Sequence, residues 1–281
     1  MIYCFDTSAI NRLLDDPERE PIIAGLLCSG SFRVTAFNVV EIAKTTVVQK
    51  RIDLIKLLRQ LSDGKYPLGR PNTILMAHAK AHAIRAPNMS ICADDGLEEL
   101  WIELNQPELI DPDDIEKLMG FTKKLEDDFS EFSAGDREKF QESFAKVPNQ
   151  RPKTAASTLR LHLNNKDKCR PIVDDVYKRL TQKQLTDSEY EILMQEPSWP
   201  LYFLSYAYAV HRRGIQQKNY SKNKNAGAID LLQTVYLSFC DRFVTDDKPQ
   251  YKGLRLLNVF NTNRRTQVMK YDTFRKRLLV F

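Results

Sequence analysis

Strand-like sequence occurs only near the two ends of this 281-residue chain, and that distribution constrains the fold more than any other feature. MIYCF at 1–5 and FRVT at 32–35 read as short apolar strands, and RFVT at 242–245 and LRLL at 254–257 read as late counterparts. From Ile52 to about His211 the apolar residues recur at helical spacing, as in LIKLLRQL, ILMAHAKAHAI and VDDVYKRLTQKQL, and the acid-rich stretch from Ile115 to Phe144 also reads as helix. A sheet made from such a chain has to bring its ends together. The expected fold class is therefore α/β, with a mostly parallel sheet of short strands and a large α-helical insertion between its halves. Within the insertion, Val147 to Asn165, with Pro148 and Pro152, reads as a crossing segment.

The early and late strands end in carboxylates. Asp6 follows the first strand, and Asp246 with Asp247 follow RFVT. Side chains at the carboxyl ends of parallel strands project into the crevice where α/β proteins place their chemistry. Two further acids stand at helix beginnings, where the helix dipole favours negative charge: Glu41, expected in the first turn of a helix capped by Asn38, and Asp230. Thr7 or Ser8 is the expected cap of the first helix. Carboxylates held together repel one another, and a hard cation such as Mg²⁺ or Mn²⁺ is the usual counter-charge. Asp241 precedes its strand and reads as a turn residue.

The segment FDTSAINRLL, the Glu41 helix in FNVVEIAKT, and the closing run AGAIDLLQTVYLSFCDRFVTDDKPQYKGLRLLN together resemble the PIN-domain nucleases. The resemblance covers about 80 residues, at 1–48 and 226–257, and leaves the helical middle outside it. It implies a three-layer α/β/α PIN-like sandwich, with residues 1–50 and 226–281 as a discontinuous catalytic domain and 51–225 as the insertion. It implies metal-dependent hydrolysis of phosphodiester bonds, most naturally of RNA or another single-stranded nucleic acid, with Mg²⁺ or Mn²⁺ as cofactor. Asp6, Glu41, Asp230 and Asp247 take the catalytic and metal-binding positions, with Asp246 as the alternative to Asp247, and Ser8 and Thr245 take supporting ones. A toxin-type ribonuclease held by a protein partner or antitoxin is the habit of many members. A non-catalytic nucleic-acid or protein binding module on the same fold is the alternative of another class.

Charge is unevenly distributed. Asp94 to Glu142 carries an excess of about twelve acids, and Lys146 to Lys183 an excess of about seven bases. Basic tracts suit a polyanion, and Arg12, Lys44, Lys248, Arg264 and Arg265 lie close in sequence to the acidic blocks as candidate phosphate contacts. No run approaches the roughly 20 apolar residues that span a bilayer, so no membrane partner and a cytoplasmic location are expected. The five scattered cysteines lack a CxxC pair and are expected to be reduced and mostly buried. His78 and His82 share a helix face but have no neighbouring acid or cysteine in sequence to complete a metal site. Trp199 and the aromatics of WPLYFLSYAYAVH are expected in the core.

Overall fold

A computed structural model of the chain describes residues 1–83, 95–104, 154–164, 166–212, 227–261 and 266–279, with isolated positions between 113 and 142. The first of these runs holds β1 (Ile2–Phe5), α1 (Thr7–Leu14), α2 (Arg19–Ser29), β2 (Ser31–Phe32), α3 (Ala36–Ala43), α4 (Val48–Ser62) and α5 (Pro71–Ala83). The middle contributes α6 (Asp95–Glu103), α7 (Ala155–Leu163), α8 (Lys166–Thr181), α9 (Asp187–Leu193) and α10 (Ser198–Val210). Last come α11 (Ala228–Leu232), a 3₁₀ turn at Gln233–Phe239, β3 (Arg242–Thr245), α12 (Lys248–Leu257), β4 (Gln267–Lys270) and α13 (Tyr271–Leu279).

The strands form one parallel sheet in the order β2-β1-β3-β4. Tyr3, Cys4 and Phe5 pair with Arg242, Phe243 and Val244, so neighbouring strands come from opposite ends of the sequence. The chain first moves from β1 to β2 on one side, then crosses back to lay β3 on the other. The crevice between β1 and β3 is thus the topological switch point of the sheet.

Side chains alternate between the faces of the strands, and both faces are covered by helices. Tyr3, Phe5, Val244 and Met269 point to one face, into a core shared with α1, α2, α3, α4 and α13. Phe5 meets Phe32 and Phe274 edge to face, with ring centroids 5.2 and 4.9 Å apart. Cys4, Phe243 and Val268 point to the other face, into a core shared with α10, α12 and the 3₁₀ turn. A third cluster joins α5, α8, α9 and α10 around Trp199, which is fully buried. The helical middle therefore packs directly on the sheet. Position 50 falls inside α4, whose Leu54, Ile55 and Leu58 belong to the same core as β1.

Several expectations change. Residues 254–257 are the end of α12, because Gln250, Gly253, Leu254 and Leu257 are buried at the three- and four-residue spacing of a helix. The closing strand is Gln267–Lys270, whose only buried residues are Val268 and Met269. Thr35, not Asn38, caps α3, and Asn38 completes the capping box from the third helical position. Helix α7 occupies Ala155–Leu163 within the expected crossing segment, while that segment's prolines lie outside the described residues, as does most of 115–144. Cys4, Cys169 and Cys240 are buried and Cys28 is exposed; Cys92 lies outside the described residues. Among the described residues, no helix is long and apolar enough to cross a membrane.

The C-terminal helix is fastened to the α1–α2 turn through Asp16, which accepts from the Tyr271 hydroxyl at 3.0 Å and from Arg275 Nε at 2.9 Å. Burial raises the Asp16 pKa, but hydrogen bonds from the Glu18 N–H, Arg275 and Tyr271 outweigh it and hold the carboxyl below its ordinary 3.8. Its contribution to stability is complete above that value and is lost as the pH falls through the lowered one. Asp16→Asn is expected to lower the melting temperature by a few degrees at neutral pH, with the difference from the parent shrinking as the pH falls below about 4. In the aromatic core, Phe274→Ala is expected to cost about 3–5 kcal/mol by urea denaturation.

Candidate functional site

Asp6 is the residue at which β1 becomes α1. Its backbone is extended, its N–H continues the ladder to the Val244 carbonyl at 3.0 Å, and its Oδ1 caps α1 by accepting from the Ala9 N–H at 2.8 Å. Neither Thr7 nor Ser8 is the cap, because both hydroxyls are directed elsewhere. Ser8 Oγ donates to Asp6 Oδ2 at 2.7 Å and accepts from the N–H groups of Asp246 and Asp247 at 2.9 and 3.1 Å. One serine hydroxyl thus joins the turn after β1 to the turn after β3.

Thr245, the buried last residue of β3, completes the link. Its Oγ1 lies 2.8 Å from Asp6 Oδ2, 3.0 Å from the Asp247 N–H and 2.7 Å from Gln250 Oε1. A hydroxyl has one proton to give. With that proton on Asp6, Gln250 has to present its amide nitrogen to Thr245, and this orientation also gives Nε2, buried and otherwise without a hydrogen bond, a partner. Asp247 caps α12 by accepting from the Gln250 N–H. Gln250 and Thr245 therefore work together, tying the cap of α12 to the carboxylate of Asp6.

Glu41 reaches the site through Asn38. The Asn38 amide nitrogen donates to the last carbonyl of β1, Phe5 O, at 3.0 Å and lies 3.4 Å from Thr7 Oγ1, which pins the start of α3 to the end of β1. Three residues on, Glu41 falls on the same helix face. It is the sixth residue of α3, a turn later than expected, and its Oε2 accepts from the Thr7 hydroxyl.

Asp6 is 3% exposed, and its pKa is pushed up to about 7. Burial is the largest cause; the hydrogen bonds from Ser8, Ala9 and Thr245 pull the other way, and the Glu41 charge adds to the rise. Asp246 is exposed and Asp247 half-buried. Asp230 is held at its own helix start, where its Oδ2 accepts from the Gly227 N–H at 2.9 Å. Asp241 lies at the opposite end of β3 and accepts from the Ile2 N–H at 2.7 Å. Among the described residues, no three His, Cys, Asp or Glu side chains form a group that could hold a metal ion. His78 instead lies with Nδ1 2.8 Å from the Ser198 hydroxyl, and His82 stands beside Tyr177.

The basic candidates separate. Lys248 is exposed at the first position of α12, next to Asp247, and Arg12 is exposed in the last turn of α1. Lys44 donates to Thr122 Oγ1 at 3.0 Å. Arg264 and Arg265 lie outside the described residues.

Chemically, the site is a desolvated carboxylate beside a second one, both oriented by hydroxyls, at the switch point of a parallel sheet. Such a carboxylate can hold a proton near neutral pH or a cation in its place. Thr7 and Asn38, expected from sequence only as helix caps, belong to the site, as does Gln250, which the sequence did not single out. The available signal was modest: Thr7 stands between two polar residues already singled out, and Gln250 lies three places after a helix cap. Comparison of the chain with protein-family models, with curated proteins and with solved structures finds no match.

Between the unfolded value of 3.8 and the folded value of about 7, the native state binds more protons at Asp6 than the unfolded state does. In metal-free buffer, stability is therefore expected to fall as the pH rises through this interval and to level off above it. Asp6→Asn should flatten that part of the melting-temperature profile. An unchanged slope in the variant would show that Asp6 is ionised throughout.

Proposed function

We propose that this chain is a PIN-like nuclease that hydrolyses phosphodiester bonds of RNA or another single-stranded nucleic acid with the help of Mg²⁺ or Mn²⁺. The observation that carries the reading is the buried Asp6 at the β1/β3 switch point, paired with Glu41 and tied to the Thr245–Asp247 turn. The parallel sheet in the order β2-β1-β3-β4, with helices on both faces, supports a PIN-like sandwich.

The residues fit a hard cation in kind: the donors are carboxylate oxygens, and the first of them is buried at a cost in desolvation that a positive charge would offset. Asp6 and Glu41 would hold the ion, with Asp230 and either Asp247 or Asp246 completing the set in this reading. A bound Mg²⁺ or Mn²⁺ would neutralise charge on the phosphate and lower the pKa of an attacking water. Ser8 and Thr245 orient Asp6 by donating to one of its oxygens, and Thr7 orients Glu41. Lys248, exposed beside Asp247, is placed to meet a phosphate entering from solvent, and binding through it should weaken with salt.

A second reading, a nucleic-acid or protein binding module without catalysis, is favoured by the lack of a three-carboxylate group among the described residues. One experiment separates the two. With end-labelled single-stranded RNA, the nuclease is expected to yield fragments only when Mn²⁺ or Mg²⁺ is present, with cleavage lost in EDTA and restored by excess metal. Asp6→Asn should reduce the rate by about a hundredfold or more while leaving the circular dichroism spectrum unchanged. Salt-dependent retention of intact strands under every condition would support the binding module, and undiminished cleavage by Asp6→Asn would overturn the site.

A further inference from the structure

A cleft of about 820 Å³ lies at the end of the sheet opposite the carboxylates, between α2 and α13. Its size is that of a pocket for a small organic ligand, roughly 300–1,000 Å³. Tyr3, at the start of β1, forms part of its wall, with Gly25 of α2 and Leu278 of α13 on facing sides. A Cβ added at Gly25 would stand 3.5 Å from Leu278 Cβ, in ordinary contact. The missing side chain at position 25 therefore lets α2 and α13 approach closely at this point, and anything longer than a methyl group would press on Leu278 and intrude on the adjoining cleft.

Arg242, Lys276 and Arg277 also line the cleft, and none of the described residues lining it is acidic. Among the described residues none of these three cations forms an ion pair. Two of them are nevertheless oriented. The Arg242 guanidinium lies over the Tyr3 ring, 5.8 Å from its centroid, on the face to which Tyr3 and Val244 also point. Arg277 Nη1 donates to Gln267 Oε1 at 2.8 Å. Tyr3 itself is held by a hydroxyl contact to Ser29 at 3.0 Å. The cleft thus combines an apolar wall with a cluster of positive charge that has no counter-ion among the described residues.

We propose that this cleft binds a small anionic amphiphile, a carboxylate on a single acyl chain of medium length, with the chain along the apolar wall beside Tyr3, Gly25 and Leu278 and the head against Arg242, Lys276 and Arg277. The apolar wall favours the tail by burial, and the unpaired cations supply charge-assisted hydrogen bonds to the head. A cationic head of the same tail would meet three like charges. The inference does not rest on the nuclease reading, since no residue of the cleft belongs to the carboxylate site.

The probe is dodecanoate below its micelle concentration, titrated calorimetrically into the full chain, with dodecyltrimethylammonium and acetate as controls. One saturable site is expected for dodecanoate, about tenfold or more tighter than for the cationic tail, and no measurable heat for acetate. The double variant Lys276→Gln with Arg277→Gln changes only exposed side chains and should weaken dodecanoate binding about tenfold. Gly25→Leu, checked for folding by its melting curve, should abolish it. Cys28 lines the same cleft and is exposed, so dodecanoate should slow its alkylation by iodoacetamide in the parent protein. Equal affinity for both charged tails, binding by the charge variant undiminished, or alkylation of Cys28 unaffected at saturating dodecanoate would overturn the proposal.

Discussion

The pairing of β1 with β3 is the contact on which the remainder of the molecule depends. It puts Tyr3 beside Arg242 and Phe5 beside Val244, creating the crevice at one end of the sheet and the cationic cleft at the other. Backbone hydrogen bonds alone do not specify such a distant pairing. The alternation of Tyr3 and Phe5 toward one core and Cys4 toward the other does, because a shift of one residue would turn every apolar side chain to the wrong face. Beyond the strands, Ser8 and Thr245 continue the pairing through side chains, so the same register that satisfies the cores also sets the surroundings of Asp6.

The helical middle is part of this arrangement and not an appendage to it. Helix α4 adds Leu54 and Leu58 to the core under β1, and α10 adds Leu201 and Leu204 to the core under β3. The single-residue bridge between Thr35 and Leu68 extends the edge of the sheet just where α3 begins. Since α3 carries Glu41, packing of the segment that follows α4 bears on the position of the second carboxylate. Asn38 supplies the direct connection by holding α3 to the end of β1.

What could be read from the sequence follows from how local each signal is. Asp6, Thr245 and Asp247 stand where apolar strand residues give way to polar ones, a change visible without any tertiary information, and the structure joins the two turns that hold them. LRLL at 254–257 misled because four residues rich in leucine fit a buried strand or one turn of a helix equally well, and only the spacing back to Gln250 decides. Strand β4 went unseen since QVMK offers two apolar residues and takes its identity from its ladder to β3. The roles of Thr7, Asn38 and Gln250 depend on partners 31 or more positions away, or on a hydroxyl whose direction is set by such partners. Charge marked Lys44 as a phosphate contact, yet sequence gives no direction to a lysine side chain, and here it turns toward Thr122.

The long separation between β1 and β3 also has a consequence during synthesis. At about 5–20 residues per second, the ribosome takes roughly 12–48 seconds to make the intervening stretch, during which the first strand lacks its central neighbour. Until then the nascent chain displays an apolar edge able to join another strand, and a chaperone or the growing α1–α4 segment has to cover it. Assembly of the carboxylate pocket is thereby deferred until β3 has been made, so a chain released before β3 would carry Asp6 without the threonine that orients it.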